Sequence, residues 1–237
     1  GIVLGIVSAS AADVAEGKVT TTAYVRLRPD GTIVDTVAVL DVRNTRMQVS
    51  VEGTTVAYLP QPFSDADLLT VSHDAGAAFR VNRSIRSEGE IRVICVNASG
   101  DTVFARTFGI AERTVTAAAA DSAARALATL LRAGPRMAAM TLDRAAALVR
   151  DQMYVPRLAP PVVALVAGRD GSLWMQHAQA VQDSTSWSIV SASGRALGTV
   201  RLPRRLTPMA VDQFHVWGVE LDTIDVPFIV QYTVNTP

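Results

Sequence analysis

Three histidines, one cysteine and one acidic loop are the residues whose types could carry chemistry in this 237-residue chain. A zinc ion needs three or four converging nitrogen, sulfur or carboxylate ligands. His73, His177 and His215 stand far apart, and none is at a ligand-type spacing from another. His73 falls in a turn, while His177 and His215 fall on strands beside Trp174 and Trp217. They read as structural histidines unless inner strands of different units meet at a common axis. Cys95 alternates with Ile91 and Val93, as a small buried hydrophobe on one strand face does. A lone cysteine also excludes an intramolecular disulfide. The stretch Glu220-Leu221-Asp222-Thr223-Ile224-Asp225 offers carboxylates but lacks the Asp/Asn/Gly ladder of a calcium loop, and it reads as a hairpin turn. The sequence contains no Gly-x-Ser-x-Gly elbow, and no glycine-rich phosphate loop precedes a helix.

What recurs is a hairpin. Arg169-Asp170-Gly171 sits between two apolar strands, and Ser193-Gly194 follows between two more. The same pairing occurs at Ser72-His73-Asp74-Ala75-Gly76 and Ser99-Gly100. Gly76 to Gly100 and Gly171 to Gly194 are separated by roughly 23 to 24 residues. A four-stranded antiparallel unit has two equivalent turns, so each stretch reads as one β-propeller blade.

The remaining segments fit around these two blades. Expected strands at 1–8, 19–28 and 32–40, with Pro29-Asp30-Gly31 as a tight turn, form the last three strands of a blade. A short hairpin at 46–59 turns at Glu52-Gly53, and Pro60-Gln61-Pro62-Phe63 breaks the pattern. One full blade is expected at 68–72, 77–82, 90–97 and 102–108. The other is expected at 162–167, 172–177, 186–191 and 195–202. Mixed alternation in Ile91-Arg92-Val93-Ile94-Cys95-Val96 suggests a strand covered on both sides. The segment 208–234 supplies three more strands.

Residues 114–151 differ in composition and form an inserted α-helical pair. Thr116 caps a helix over 117–132, on which Ala123, Leu127, Leu130 and Leu131 share a stripe. Gly134-Pro135 ends it. Thr141 caps a second helix, with Asp143 in its first turn and Arg150 in its last. The pair is expected as a lid or strut on one end of the propeller.

Composition narrows the partners. Hydrophobic residues make up 49% and aromatics only 5%, so aliphatic side chains do most of the packing. The formal net charge is zero, and the only lysine is Lys18. A nucleic-acid binder carries a basic excess on at least one face, so no nucleic-acid partner is expected. No stretch approaches the ~20 apolar residues of a membrane span. The start has no initiating Met and no basic n-region, so it reads as a strand entered mid-protein, and the chain as a fragment.

The closing half carries a family resemblance. Asp170-Gly171-Ser172-Leu173-Trp174, Trp187-Ser188-Ile189-Val190, Ser193-Gly194 and Leu197-Gly198-Thr199-Val200-Arg201-Leu202-Pro203 come first. Trp217-Gly218-Val219 follows, with Asp222, Asp225-Val226 and Tyr232. Together they resemble the closing blades of bacterial six-bladed β-propellers, similar in architecture to NHL- and TolB-type propellers. Pro62-Phe63-Ser64 and Gly100-Asp101-Thr102-Val103 resemble that group too. The resemblance implies an all-β fold, one partial propeller domain over 1–237 with about four of six blades. It implies much less about function, because propellers host binding, scaffolding and several chemistries.

In such blades the Asp-Gly and Ser-Gly turns share one end. Longer connections, expected at 8–18, 83–89, 178–185 and 221–226 together with the helical insertion, share the other. Long loops on one rigid end are where binding resides. Arg83, Arg86, Glu88, Gln182, Asp183 and Asp222 are the polar candidates for that rim. The first reading is a non-catalytic binding or scaffold propeller, extracytoplasmic and without a cofactor, engaging a protein, peptide or small ligand there. The second is a calcium-dependent hydrolase, lactonase or lyase with a metal in the central channel. Mostly apolar or small inner strands at 68–71, 162–166 and 209–211 favour the first.

Overall fold

The structure is a computed structural model and describes residues 3–7, 10–74, 76–83, 89–181 and 183–234. Among the described residues five antiparallel sheets follow one another, each a meander in sequence order. The first holds β1 (Val3–Val7), β2 (Thr21–Leu27) and β3 (Ile33–Asp41). The second is the hairpin β4 (Arg46–Val51) and β5 (Thr54–Pro60). Two four-stranded sheets follow. One holds β6 (Leu68–Val71), β7 (Ala77–Asn82), β8 (Glu90–Asn97) and β9 (Thr102–Gly109). The other holds β10 (Val162–Ala167), β11 (Leu173–Val181), β12 (Ser184–Val190) and β13 (Ala196–Pro203). The last sheet holds β14 (Leu206–Val211), β15 (His215–Leu221) and β16 (Pro227–Thr233). Helix α1 (Ala11–Ala15) lies between β1 and β2, and α2 (Ala117–Ala133) and α3 (Leu142–Gln152) lie between β9 and β10.

Side-chain carboxylates and amides build the short turns. Asp30 Oδ1 accepts from the Thr32 N–H at 2.9 Å, Asn97 Oδ1 from Ser99 at 2.9 Å, and Asp170 Oδ1 from Ser172 at 3.1 Å. Asp74 Oδ1 accepts from Gly76 at 2.9 Å, and Asp212 Oδ1 from Phe214 at 2.8 Å. An acceptor two residues before the donor fixes the chain reversal locally, which is why Asp and Asn recur at these points. Gly194 is required on two counts. Its φ is +80°, and a Cβ there would lie 2.7 Å from the Phe104 ring of the neighbouring sheet.

At the opposite end one expectation is corrected. The connection placed at 178–185 is a tight hairpin, with Ala180 opposite Thr185 and Val181 opposite Ser184 after a bulge. Nothing in Ala178-Gln179-Ala180-Val181 stops a strand, and extending the ladder satisfies backbone groups that would otherwise need other partners.

Side chains alternate between two separate cores. Phe79, Val81, Ile91, Val93, Cys95 and Phe104 pack with Val162, Leu173, Met175 and Val190 between the two four-stranded sheets. Trp174, Trp187, Ile189 and Leu202 point the other way, onto Leu206, Val211 and Val216 of the last sheet and Val234 just after it. Strand β10 lies against both β6 and β14, so the leading strands of successive sheets adjoin. The fold is all-β and propeller-like, with four-stranded antiparallel blades and an inserted helical pair. Cys95 is 2% exposed and its thiol is pushed up to about 11 by burial, as expected of a core hydrophobe.

The helical pair does not cap an end of the propeller. It covers the β4–β5 hairpin, and Met47, Val49 and Leu59 share one core with Ala120, Ala124, Leu127, Ala128, Leu131, Ala145 and Val149. A two-stranded ribbon has too little apolar area to be stable alone, and α2 and α3 supply the covering layer that further strands supply elsewhere. Gln152 also closes the ribbon's edge: its Oε1 accepts from Ser50 N and its Nε2 donates to Ser50 O, both at 2.8 Å. Thr116 and Thr141 cap the helices as expected, accepting from Ala119 N at 3.2 Å and Arg144 N at 3.4 Å.

The buried stripe of α2 is corrected as well. It runs through Ala120, Ala124, Leu127, Ala128 and Leu131, while Leu130 is 56% exposed. Alanines let the two helices approach closely, so small residues rather than the largest ones mark the contact face. Leu131→Ala is expected to lower unfolding free energy by about 2–5 kcal/mol. Leu130→Ala is expected to change it by no more than about 0.5 kcal/mol. Urea denaturation of both variants checks this; equal losses would refute the assigned face.

Candidate functional site

The connections between sheets, together with α1, enclose a polar cleft of about 600 Å³. The β3–β4 link contributes Asp41, Arg43, Asn44 and Arg46, and the segment before β6 contributes Asp65 and Asp67. Arg80 and Asn82 come from the end of β7. A second compartment of about 530 Å³ shares Asn44 and Asp65 with the first and adds Phe63, Tyr154, Pro156 and Arg157. The two compartments of this groove adjoin at Asn44 and Asp65.

Local chemistry shapes its walls. Arg43 Nε donates to both oxygens of Asp41, at 3.0 and 2.8 Å, and the Arg43 backbone N–H bonds the same carboxylate at 2.8 Å. That guanidinium holds the Asp41 carboxyl below its usual range. Across the groove Arg80 Nε donates to Asp67 Oδ2 at 2.6 Å, and the Asp67 side chain is almost wholly buried. Asn44 and Phe63 both adopt left-handed backbone, with φ of 60° and 57°. Asn tolerates that region, whereas for a bulky aromatic it is a strained conformation of the kind found at functional sites. Gln61 Nε2 donates to Tyr154 O at 2.8 Å and so ties the two walls of the outer compartment together.

The rim residues expected from sequence scatter. Arg83 is 6% exposed and bridges sheets, donating from Nε to Ala66 O at 2.6 Å and from Nη1 to Val162 O at 2.8 Å. Desolvation lowers its pKa to about 10, against the opposing pull of Asp65 and Asp67. Asp183 is exposed, and its carbonyl accepts from Arg204 N at 2.7 Å. Asp222 Oδ1 accepts from Ile224 and Val226 N–H groups at 2.8 and 2.9 Å, so this carboxylate builds its own turn. Arg86, Glu88 and Gln182 lie outside the described residues. Sequence reading missed the groove itself. The available signal was the polar run Asp41-Val42-Arg43-Asn44-Thr45-Arg46 and the pair Asp65/Asp67, both on links between sheets rather than within them.

The histidines stay apart. His215 Nδ1 lies 3.3 Å from Asp212 Oδ1 and its ring is 5.2 Å from that of Trp217. Among the described residues no group of three or more His, Cys, Asp or Glu is placed to hold a metal ion. No helix among them is long and apolar enough to cross a membrane.

No protein-family model matches this chain, and no curated protein does. Among solved structures, the β-propeller domain of the Trilobed protease from Pyrococcus furiosus matches 92% of the chain at 9% identity and a TM-score of 0.35. The chain spans about half (52%) of that structure's length. An uncharacterised protein from Listeria monocytogenes matches 85% of the chain and 68% of its own, at 7% identity and a TM-score of 0.21. At these scores the description of the fold rests on strand order and packing.

His177 gives a pH-dependent handle. Its Nε2 lies 2.8 Å from Ser188 Oγ, and burial lowers its pKa below the usual 6.5. The unfolded chain therefore takes up this proton first as pH falls. The stability involved is complete above about 6.5 and is lost as pH falls from there toward the folded-state value. Urea midpoints are expected to drop more between about pH 7 and about pH 5 for the native chain than for His177→Gln. Parallel drops would show that His177 does not titrate in this way.

Proposed function

We propose that this chain is a non-catalytic binding module that engages its ligand, a protein, peptide or small molecule, in the groove at its long-connection end. The observation that carries this reading is the groove's construction: links from successive sheets converge there. Two acid–guanidinium pairs, Asp41 with Arg43 and Asp67 with Arg80, are positioned by bonds to one another, and Asp65 and Arg46 stand beside them. Concave sites with a few oriented polar groups on a rigid scaffold are the usual form of a ligand site. The finer likeness to NHL- and TolB-type six-bladed propellers enters on the sequence motifs alone. Asp183 and Asp222 extend the proposed rim around the same end, and Arg83 braces it from within.

Thermal unfolding with millimolar calcium and then with EDTA tests this against calcium-dependent hydrolysis. A ligand at about 100 times its dissociation constant adds about 2.7 kcal/mol of stability. The binding reading expects superimposable curves. A calcium-dependent rise in Tm would replace it with the metal-dependent one. Ligands from a peptide and small-molecule screen are expected to shift backbone amide resonances of 41–46 and 63–67; shifts confined to the short-turn end would place the site elsewhere.

A further inference from the structure

The groove's wall is charged but balanced. Its inner compartment presents Asp41, Asp65 and Asp67 against Arg43, Arg46 and Arg80, three of each sign. Two of the acids are already paired, Asp41 with Arg43 and Asp67 with Arg80. An anionic ligand drawn to any of these guanidiniums meets a carboxylate beside it, and a cation meets the reverse, so the inner wall favours neither. The exposed Arg157 adds one further guanidinium in the outer compartment.

Pairing does not exhaust these groups. A carboxylate offers about four lone-pair sites and a guanidinium five N–H donors. Asp65, which lines both compartments, takes part in no ion pair among the described residues, so its carboxylate remains for another donor. Groups with two parallel donors or acceptors match neighbouring hydroxyls, which donate and accept at once and bring no charge. Asn44, at the junction of the two compartments, adds an amide of the same bidentate kind.

The outer compartment contributes an apolar surface. Tyr154 is 66% exposed, and its backbone is fastened by Gln61. Phe63 and Pro156 line the same compartment. An exposed aromatic ring beside a polar groove suits a ligand with one apolar face and a hydroxylated edge.

Resting on the binding reading above, we propose that the groove takes a neutral polyhydroxylated ligand, a short saccharide. Its ring face lies on Tyr154, and its hydroxyls are held by Asn44 and the paired acids and guanidiniums.

The test uses the full chain, with amide resonances followed during titration with maltotriose, cellotriose and triacetylchitotriose. A trigalacturonate, sulfate and Gly-Gly serve as the anionic and zwitterionic arms. One neutral trisaccharide is expected to give saturable shifts at 41–46, 63–67 and 154–157. Tyr154→Ala is expected to weaken it at least tenfold, and Asn44→Gly, which keeps the left-handed backbone, about fivefold. Both variants are expected to unfold at the native Tm, since both side chains are exposed. Saturable binding at those residues by only the charged probes would overturn the saccharide inference and leave the binding reading standing. A neutral trisaccharide bound equally by native and Tyr154→Ala chains would also overturn it. No saturable shift there with any probe would overturn both.

Discussion

The sheet β10–β13 buries both of its faces, and the sheets on either side depend on it for theirs. Leu173, Met175 and Val190 fill one core while Trp174 and Ile189, the residues beside them in sequence, fill the next together with Trp187. Each fully buried aliphatic or aromatic side chain of this size contributes about 1.5–3 kcal/mol. A single hydrogen bond contributes about 0.5–1.5 kcal/mol net. Face-to-face burial therefore holds the stack together. The polar links between sheets select the geometry: Arg169 N to Val211 O at 2.9 Å, Gln213 N to Asp170 Oδ2 at 2.9 Å, and Arg26 Nη2 to Asn97 O at 3.2 Å. All three lie at the short-turn end.

That asymmetry has a functional consequence. The short-turn end is closed by Asp and Asn acceptors and by bonds between neighbouring sheets. The other end is joined by variable links, and there the groove forms. Arg83 is the buried cation that ties this end. Its burial costs enough to pull its pKa down to about 10, yet it satisfies two carbonyls, that of Val162 by a buried bond. A cation retained at that cost fixes where β6 and β10 begin, and so where Asp65 and Asp67 stand.

Much of the architecture is legible in the residues. Asp30, Asn97, Asp170 and Gly194 mark their turns because the conformation and the acceptor are both local requirements. Thr116 and Thr141 mark helix starts for the same reason. The packing partner of the helical pair is not legible, because it depends on a contact between α2 and a hairpin more than fifty residues earlier. Nor is the rotation of α2, since Ala120, Ala124 and Ala128 carry little hydrophobic signal although they define the contact. The groove was hidden for a related reason. Its charged residues sit on links between sheets, and only the stacking of those sheets brings 41–46 beside 65–67 and 80–82.

The β4–β5 hairpin shows how these constraints meet. Two strands cannot cover their own apolar face, so α2 and α3 cover it, and Gln152 imitates a neighbouring strand at its edge. The chain then leaves α3 through Met153 and Tyr154, which delivers Tyr154 to the groove. Phe63, which packs against the same core, holds the opposing wall with its φ of 57°. The helical pair thus solves a packing problem and, by the path the chain must take afterwards, places an exposed aromatic beside the paired charges. Covering the shortest sheet and furnishing the groove are one structural event, and it makes the stability of that sheet a condition of the site.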